Sequence, residues 1–204
     1  MDHVSHLTRF GGVLIQRIVH DLAGAAGALE GAVELAATDP EIAADALDVA
    51  RETAAVLSAR LRLLRAAWLP SGEPIDAAGI ARLWVGLPGA SRLTHRLDGL
   101  TDAVPPDRVP ALLHAIAVAA EGLPRGGTIT VSSDVVGLSV AIDGAGGGWP
   151  AGFAGLLADA TAAHAALLAA EPATLTAAAC AAIVHRDGVR ASLESDTIFR
   201  LVWA

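Results

Sequence analysis

"PRGGTITVSSDVVGLSVAIDG" (Pro124–Gly144) is the stretch on which the fold turns. Pro124 to Gly127 gives a turn signal, "TITVSS" (Thr128–Ser133) alternates apolar with polar residues, and "GLSVAID" (Gly137–Asp143) alternates again. Successive side chains of a strand point to opposite faces, so this alternation predicts two half-buried strands forming a hairpin. Working backwards, residues 107–122 predict a helix, opened by "PPD" and closed by Gly122. Earlier still, residues 76–86 read as helical and 89–97 as extended. Working forwards, "GAGGGWPAG" (Gly144–Gly152) breaks the chain, a helix over 150–168 follows, and helical patterning runs to about 187. "GVRASLESDTIFRLVWA" (Gly188–Ala204) predicts two further strands joined near Ser195 to Thr197. This half is therefore an α+β layer, with helices against one mostly antiparallel sheet.

The first half has a different period. Residues 10–37 predict one long helix, with Leu14, Ile18, Leu22, Ala25, Leu29, Ala32 and Ala36 recurring at spacings of three and four. "TDPE" (Thr38–Glu41) follows, offering Thr38 or Asp39 as a cap and Pro40 for the first turn. A second helix over 41–68 carries the stripe Ile42, Ala46, Val49, Val56, Leu57, Leu61 and Leu64. The two form an antiparallel hairpin. Apolar residues lie on more than one side of the first helix, so the hairpin is expected to pair with a second copy in a dimeric four-helix bundle. "LPSGEP" (Leu69–Pro74) punctuates the chain. The expected division is a helical hairpin over 1–69, a linker over 70–74 and an α/β sandwich over 75–204.

Composition narrows the function classes. Of 204 residues 53% are hydrophobic and only 3% aromatic, so the core must be built mainly from Ala, Leu, Val and Ile. The net charge is -8 and all 14 basic side chains are Arg. An acidic chain without a basic cluster argues against nucleic acid as a partner. No apolar run reaches the roughly 20 residues of a membrane span, and "MDHVSHLTRF" leads into no signal-peptide core, so no membrane partner and a cytoplasmic protein are expected. The one cysteine, Cys180 in "LTAAACAAIV", allows no internal disulfide and reads as a small core residue.

The candidate chemistry lies on the first helix, in "IVHDLAGAAGALEGAVEL" (Ile18–Leu35). At about 100° per residue, Gly24, Gly27 and Gly31 fall within about 40° of His20, one above another. Each glycine costs the helix roughly 1 kcal/mol relative to alanine. His20 sits about 200° from Ile18 and so points away from the apolar stripe. A neutral imidazole has a lone pair able to attack phosphorus. Arg17, one turn earlier, can neutralise phosphoryl oxygens, and Asp21 can orient the ring or hold its proton. Ala23, Gly24, Gly27 and Gly31 present no bulk to an approaching protein. The alternative on these residues alone is a close helix-packing strip beside an ordinary surface histidine. His114 and His164 lie in apolar helical stretches and read as core or surface residues. His185 in "IVHRDG" reads as structural, near a helix end closed by Gly188. His3, His6 and His95 are too scattered for a metal site, and no metal of its own is expected.

"HDLAGAAGALEGAVEL" (His20–Leu35) resembles the phosphoacceptor helix of ChpT-type histidine phosphotransferases, which are built like a histidine kinase that has lost kinase activity. The resemblance extends through "RLRLLRAAW" (Arg60–Trp68), "AVAAEGLPRGGTITV" (Ala117–Val131), "VAIDGAGGG" (Val140–Gly148) and "AAIVHRDGVRASLESDTIFRLVW" (Ala181–Trp203). It implies a C-terminal domain similar to a degenerate histidine-kinase ATP-binding domain, under a homodimeric bundle. The kinase-specific chemistry is missing. Aligned on Gly126 and Gly127, the magnesium-binding asparagine of kinases falls at Val118, which has no lone pair for a cation. "EPATLTAAAC" (Glu171–Cys180) replaces the glycine-rich lid near the triphosphate. Asp143 aligns with the adenine-reading aspartate, yet "DGAGGG" reads as a turn after a strand. The helix over 150–168 is expected to cover the vacant pocket.

The resemblance therefore implies a phosphotransferase acting through phosphohistidine at His20, without ATP or a cofactor of its own. Its partners would be the receiver domains of a hybrid histidine kinase and of a response regulator, the receiver supplying Mg2+. Two other readings stay open, a non-catalytic dimeric scaffold for a receiver or kinase and an active histidine kinase fragment.

Overall fold

The N-terminal patterning forms α1 (His3–Thr38) and α2 (Ala43–Trp68) in a computed structural model, packed antiparallel on each other. The structure describes residues 3–69, 72–169 and 171–203; on α1, the side chains of 3–11, 13, 14, 17 and 21 lie outside the description. The expected stripe of α1 is the sheltered one: Ala32 is buried, and Ile18, Leu22, Ala25, Leu29 and Ala36 are half-buried. On α2 the expected stripe holds only in part. Ala46 is buried and Leu57 and Leu64 half-buried, whereas Ile42, Val49, Val56 and Leu61 remain exposed; Ala50, outside the expected stripe, is buried as well. Alanine at the contact lets two helices approach closely along a narrow line, and the bulkier residues beside that line find no cover within the chain.

The turn between these helices also differs from expectation. Asp39 accepts from the Glu41 N–H at 3.0 Å, Thr38 donates back to the Glu34 carbonyl at 2.9 Å, and α2 starts after Ile42 with no side-chain cap. Thr38 and Asp39 thus shape the turn. Pro40 lies within that turn, ahead of the first turn of α2.

α3 (Ala77–Trp84) is capped by Asp76, whose carboxylate accepts from the Gly79 N–H at 2.6 Å. A single 3-10 turn leads into β1 (Leu93–Asp98). Then come α4 (Val109–Glu121), β2 (Gly127–Ser133), β3 (Leu138–Asp143), α5 (Phe153–Ala158), α6 (Ala160–Ala169), α7 (Leu175–Arg186), β4 (Arg190–Leu193) and β5 (Ile198–Val202). The five strands make one sheet in the order β1-β2-β3-β5-β4, parallel between β1 and β2 and antiparallel elsewhere. One face carries Ile129, Val131, Val140, Phe199 and Leu201, all fully buried. Over it lie α4 and α7, whose many alanines allow close seating. Cys180 on α7 is fully buried, and burial pushes its thiol well above the ordinary range. Leu63 and Ala67 of α2 join this same core, so the end of the hairpin is packed into the second half.

The double glycine before β2 has a local cause. Gly126 has φ +86°, and a Cβ there would strike the Arg92 carbonyl, while one at Gly127 would strike the carbonyl of Asp143. Only glycine lets β2 begin wedged between β1 and β3. At the far end of α7, Gly188 (φ +65°) lets Val189 donate to the Val184 carbonyl at 2.9 Å and closes the helix as expected.

The helix expected over 150–168 is two helices. Asp159 breaks it, its carboxylate accepting from the N–H groups of Thr161 at 2.8 Å and Ala162 at 3.2 Å. An aspartate that satisfies the free N–H groups of a new helix is worth more as a cap than as an interior residue. The break lets α5 lay Phe153 on the sheet while α6 turns away to lie against α7 and α1. Asp159→Ala is expected to lower stability by about 1 kcal/mol, seen as an earlier urea midpoint with an unchanged slope.

Candidate functional site

His20 stands exposed near the middle of α1, and Ala23, Gly24, Gly27 and Gly31 climb the helix from it, all exposed. A Cβ added at Gly24, Gly27 or Gly31 would meet nothing within 4 Å. Within this chain no neighbouring helix is therefore packed close against these glycines, and the sheltered residues of α1, Leu22, Ala25, Leu29 and Ala32, lie on its other side. What remains is a strip without side-chain bulk leading to an imidazole. The side chains of Arg17 and Asp21, expected to flank that imidazole, lie outside the described residues.

Val118 and Asp143, which the sequence resemblance aligned with kinase residues, lie in different settings. Val118 is fully buried on α4, in the core over the sheet. Asp143 is exposed at the end of β3. The glycine run after it folds into a turn, closed by Gly147 N–H to the Gly144 carbonyl and pinned by Gly148 N–H to the Gly122 carbonyl, each at 3.0 Å. Trp149, Phe153 and Phe199 then fill the space beside the sheet, with ring centroids 5.4–6.1 Å apart. Among the described residues no three His, Cys, Asp or Glu side chains are grouped to hold a metal ion.

The other histidines divide by environment. Nε2 of His185 is 2.9 Å from the Leu156 carbonyl and ties α7 to α5, a structural contact. His164 lies on α6, exposed. His114 is buried on α4, with Nδ1 2.9 Å from the Pro110 carbonyl and its ring edge-on to Trp68 at 4.7 Å. Burial is the main cause lowering its pKa from 6.5 to about 4, so the ring is neutral at pH 7 and Nδ1–H donates to Pro110. The unfolded chain takes up this proton below 6.5, the folded chain only below about 4. Stability from this group is thus fully present above 6.5 and is lost as pH falls to 4, over a span worth about 3 kcal/mol. His114→Leu is expected to flatten the stability slope between pH 4 and 6.5, measured as urea midpoints against pH.

Sequence reasoning passed over a groove where α2 meets α4, the loop over 86–92 and the start of α7. Arg60 and Trp68 of α2 line it beside Arg92, His114 and Glu121. One signal was legible: Arg60 falls between Leu57 and Leu64 at the spacing of the sheltered stripe, where a cation is out of place.

The profile of the histidine phosphotransferase C-terminal domain matches residues 77–197, more than half of the chain. The chain belongs to the histidine phosphotransferase family. The matched region of this histidine phosphotransferase runs from α3 into the β4–β5 hairpin, so the helix bearing His20 precedes it. A solved structure described as a bacterial phosphotransferase at 1.7 Å is similar in fold over 98% of this chain and 97% of its own, with a TM-score of 0.72 and 20% identity. None of the curated proteins matches the chain. No described helix of this histidine phosphotransferase is long and apolar enough to cross a membrane.

Proposed function

We propose that this protein is a ChpT-type histidine phosphotransferase of a bacterial phosphorelay, passing a phosphoryl group between receiver-domain aspartates through His20. The observation that carries this reading is an exposed imidazole at the head of an unobstructed glycine strip, in a chain of the histidine phosphotransferase family. A ring nitrogen of His20 attacks the phosphorus of an aspartyl phosphate. The N–P bond forms as the bond from phosphorus to the acyl oxygen breaks, and the aspartate leaves as a carboxylate. The second receiver's aspartate reverses the step. Acyl phosphate and phosphohistidine are both high-energy, so no ATP is consumed. Asp21 orients the ring and Arg17 offsets charge on the phosphoryl oxygens. The receiver brings the Mg2+ that shields its own phosphate.

The exposed Val19, Val33, Val49, Val56 and Leu61 on the two long helices support a homodimer. A hairpin with this much uncovered apolar surface is completed by a second hairpin in a four-helix bundle. In this reading residues 1–69 dimerise and carry the phosphate, 70–74 link, and 75–204 form a degenerate kinase-type domain that binds no ATP. The aromatic filling beside the sheet and the buried Val118 support that last part.

A receiver lying along Ala23, Gly24, Gly27 and Gly31 makes the strip sensitive to bulk. Gly27→Leu removes a helix-destabilising residue into open space, so the fold should hold or gain slightly. Its rate of phosphoryl uptake from a labelled receiver, without ATP, is expected to fall about tenfold or more, equivalent to about 1.4 kcal/mol. An unchanged rate would place the docking surface elsewhere.

A further inference from the structure

The groove beneath the hairpin has the makings of a ligand site separate from His20. Its volume is about 410 Å³, within the range of small-molecule pockets, and most of its lining is apolar. Leu63, Ala67 and Trp68 of α2 form one wall, and Leu113 and Ala117 of α4 face them. The wall is held in place at Gly86, where a Cβ would come within 2.5 Å of the Ala59 carbonyl and 2.8 Å of the Arg60 N. That backbone contact fixes the loop carrying Arg92 against the helix carrying Arg60, so the groove is preformed.

The charges on it are few and unequal. Arg60 and Arg92 face Glu121, which already accepts from the Thr176 hydroxyl at 2.7 Å, and His114 contributes no charge at pH 7. Two cations against one anion leave the lining at about +1. The Nε of Arg60 is buried without a hydrogen-bond partner among the described residues. A buried guanidinium N–H seeks an acceptor, and a carboxylate is the acceptor whose geometry it matches best.

We infer that this groove binds an amphiphilic monoanion, a carboxylate on a medium-length hydrocarbon chain, with the headgroup at Arg60 and the chain along Leu63, Ala67 and Trp68. Multiply charged nucleotides fit poorly, because Glu121 opposes a second negative charge and the apolar walls cannot solvate one. Ile18 also lines the groove, so the bound chain touches α1, α2 and the α4–α7 layer together. It would stiffen the junction between the hairpin and the second half.

The test uses the full-length protein and ω-bromoundecanoate below its micellar concentration, with tryptophan fluorescence as readout, since bromine quenches only a nearby indole. Saturable quenching is expected, carried by Trp68 and lost in Trp68→Phe while calorimetry still shows binding. Arg60→Met should weaken binding at least tenfold and Arg92→Met by less. Arg96→Met, on β1 away from the groove, should leave it unchanged. The uncharged ω-bromoundecanol should bind at least tenfold more weakly than the acid. Quenching that fails to saturate, equal affinity for acid and alcohol, or indifference to both Arg60→Met and Arg92→Met would each overturn the inference. Circular dichroism of each variant separates a lost site from a lost fold.

Discussion

His20→Ala is expected to reduce phosphoryl uptake to assay background while leaving the fold intact. Removing the nucleophile of a covalent mechanism has cost other enzymes on the order of 10⁶ in rate. Because His20 is exposed, the substitution should change stability by no more than about 0.5 kcal/mol. The measurement is transfer of label from a phosphorylated receiver in the absence of ATP, with wild type and variant compared by urea denaturation. The label on the wild type should be acid-labile and alkali-stable, as a phosphoramidate is. The wild type given ATP alone should stay unlabelled, which separates this reading from a kinase fragment. Uptake by His20→Ala at the wild-type rate would remove His20 from the mechanism. A receiver that binds the wild type without ever labelling it would favour a scaffold.

The second large effect concerns stability. Phe199→Ala is expected to cost about 3–5 kcal/mol, the range for truncating a buried aromatic. Phe199 is fully buried on β5, opposite Val140 in the sheet register, and its ring lies 5.4 Å from that of Phe153 and 5.6 Å from that of Trp149. The chain has only three Phe and four Trp, so this cluster gathers nearly half of its aromatic rings. A domain of this size has about 5–15 kcal/mol in hand, so the variant should be close to unfolding at physiological temperature. Phe199→Leu should recover a large part of the loss. Urea midpoints of the variant and the wild type would show it. A cost of about 1 kcal/mol or less would mean that α5 and α7 hold the sheet without the rings.

Much of this architecture is legible in one dimension because periodicity reports which face of an element is buried. The alternation of Thr128–Ser133 and Leu138–Asp143 gave the hairpin, and spacings of three and four gave the sheltered stripe of α1 from Ile18 to Ala36. Gly188 marked a helix end through its own backbone chemistry. His20 and the glycines above it could be placed on one line, because helix geometry fixes angles along a single element.

What periodicity cannot report is the identity of the covering surface. The apolar residues of α2 look alike in sequence, yet Ala59 is buried by the close approach of Gly86 while Val49, Val56 and Leu61 find no cover within the chain. The break at Asp159 depends on whether its carboxylate caps a new helix or faces solvent within an old one, and packing of Phe153 on the sheet decides that. The parallel pairing of β1 with β2, and the insertion of β5 between β3 and β4, arise from contacts between residues far apart in the chain. So does the neutral state of His114, which follows from being sealed against Trp68. The groove is the extreme case: Arg60, Arg92, Glu121 and Thr176 come from four separate segments. Local patterns set each segment's conformation, but only long-range burial, which no single segment can satisfy alone, brings those four side chains around one space.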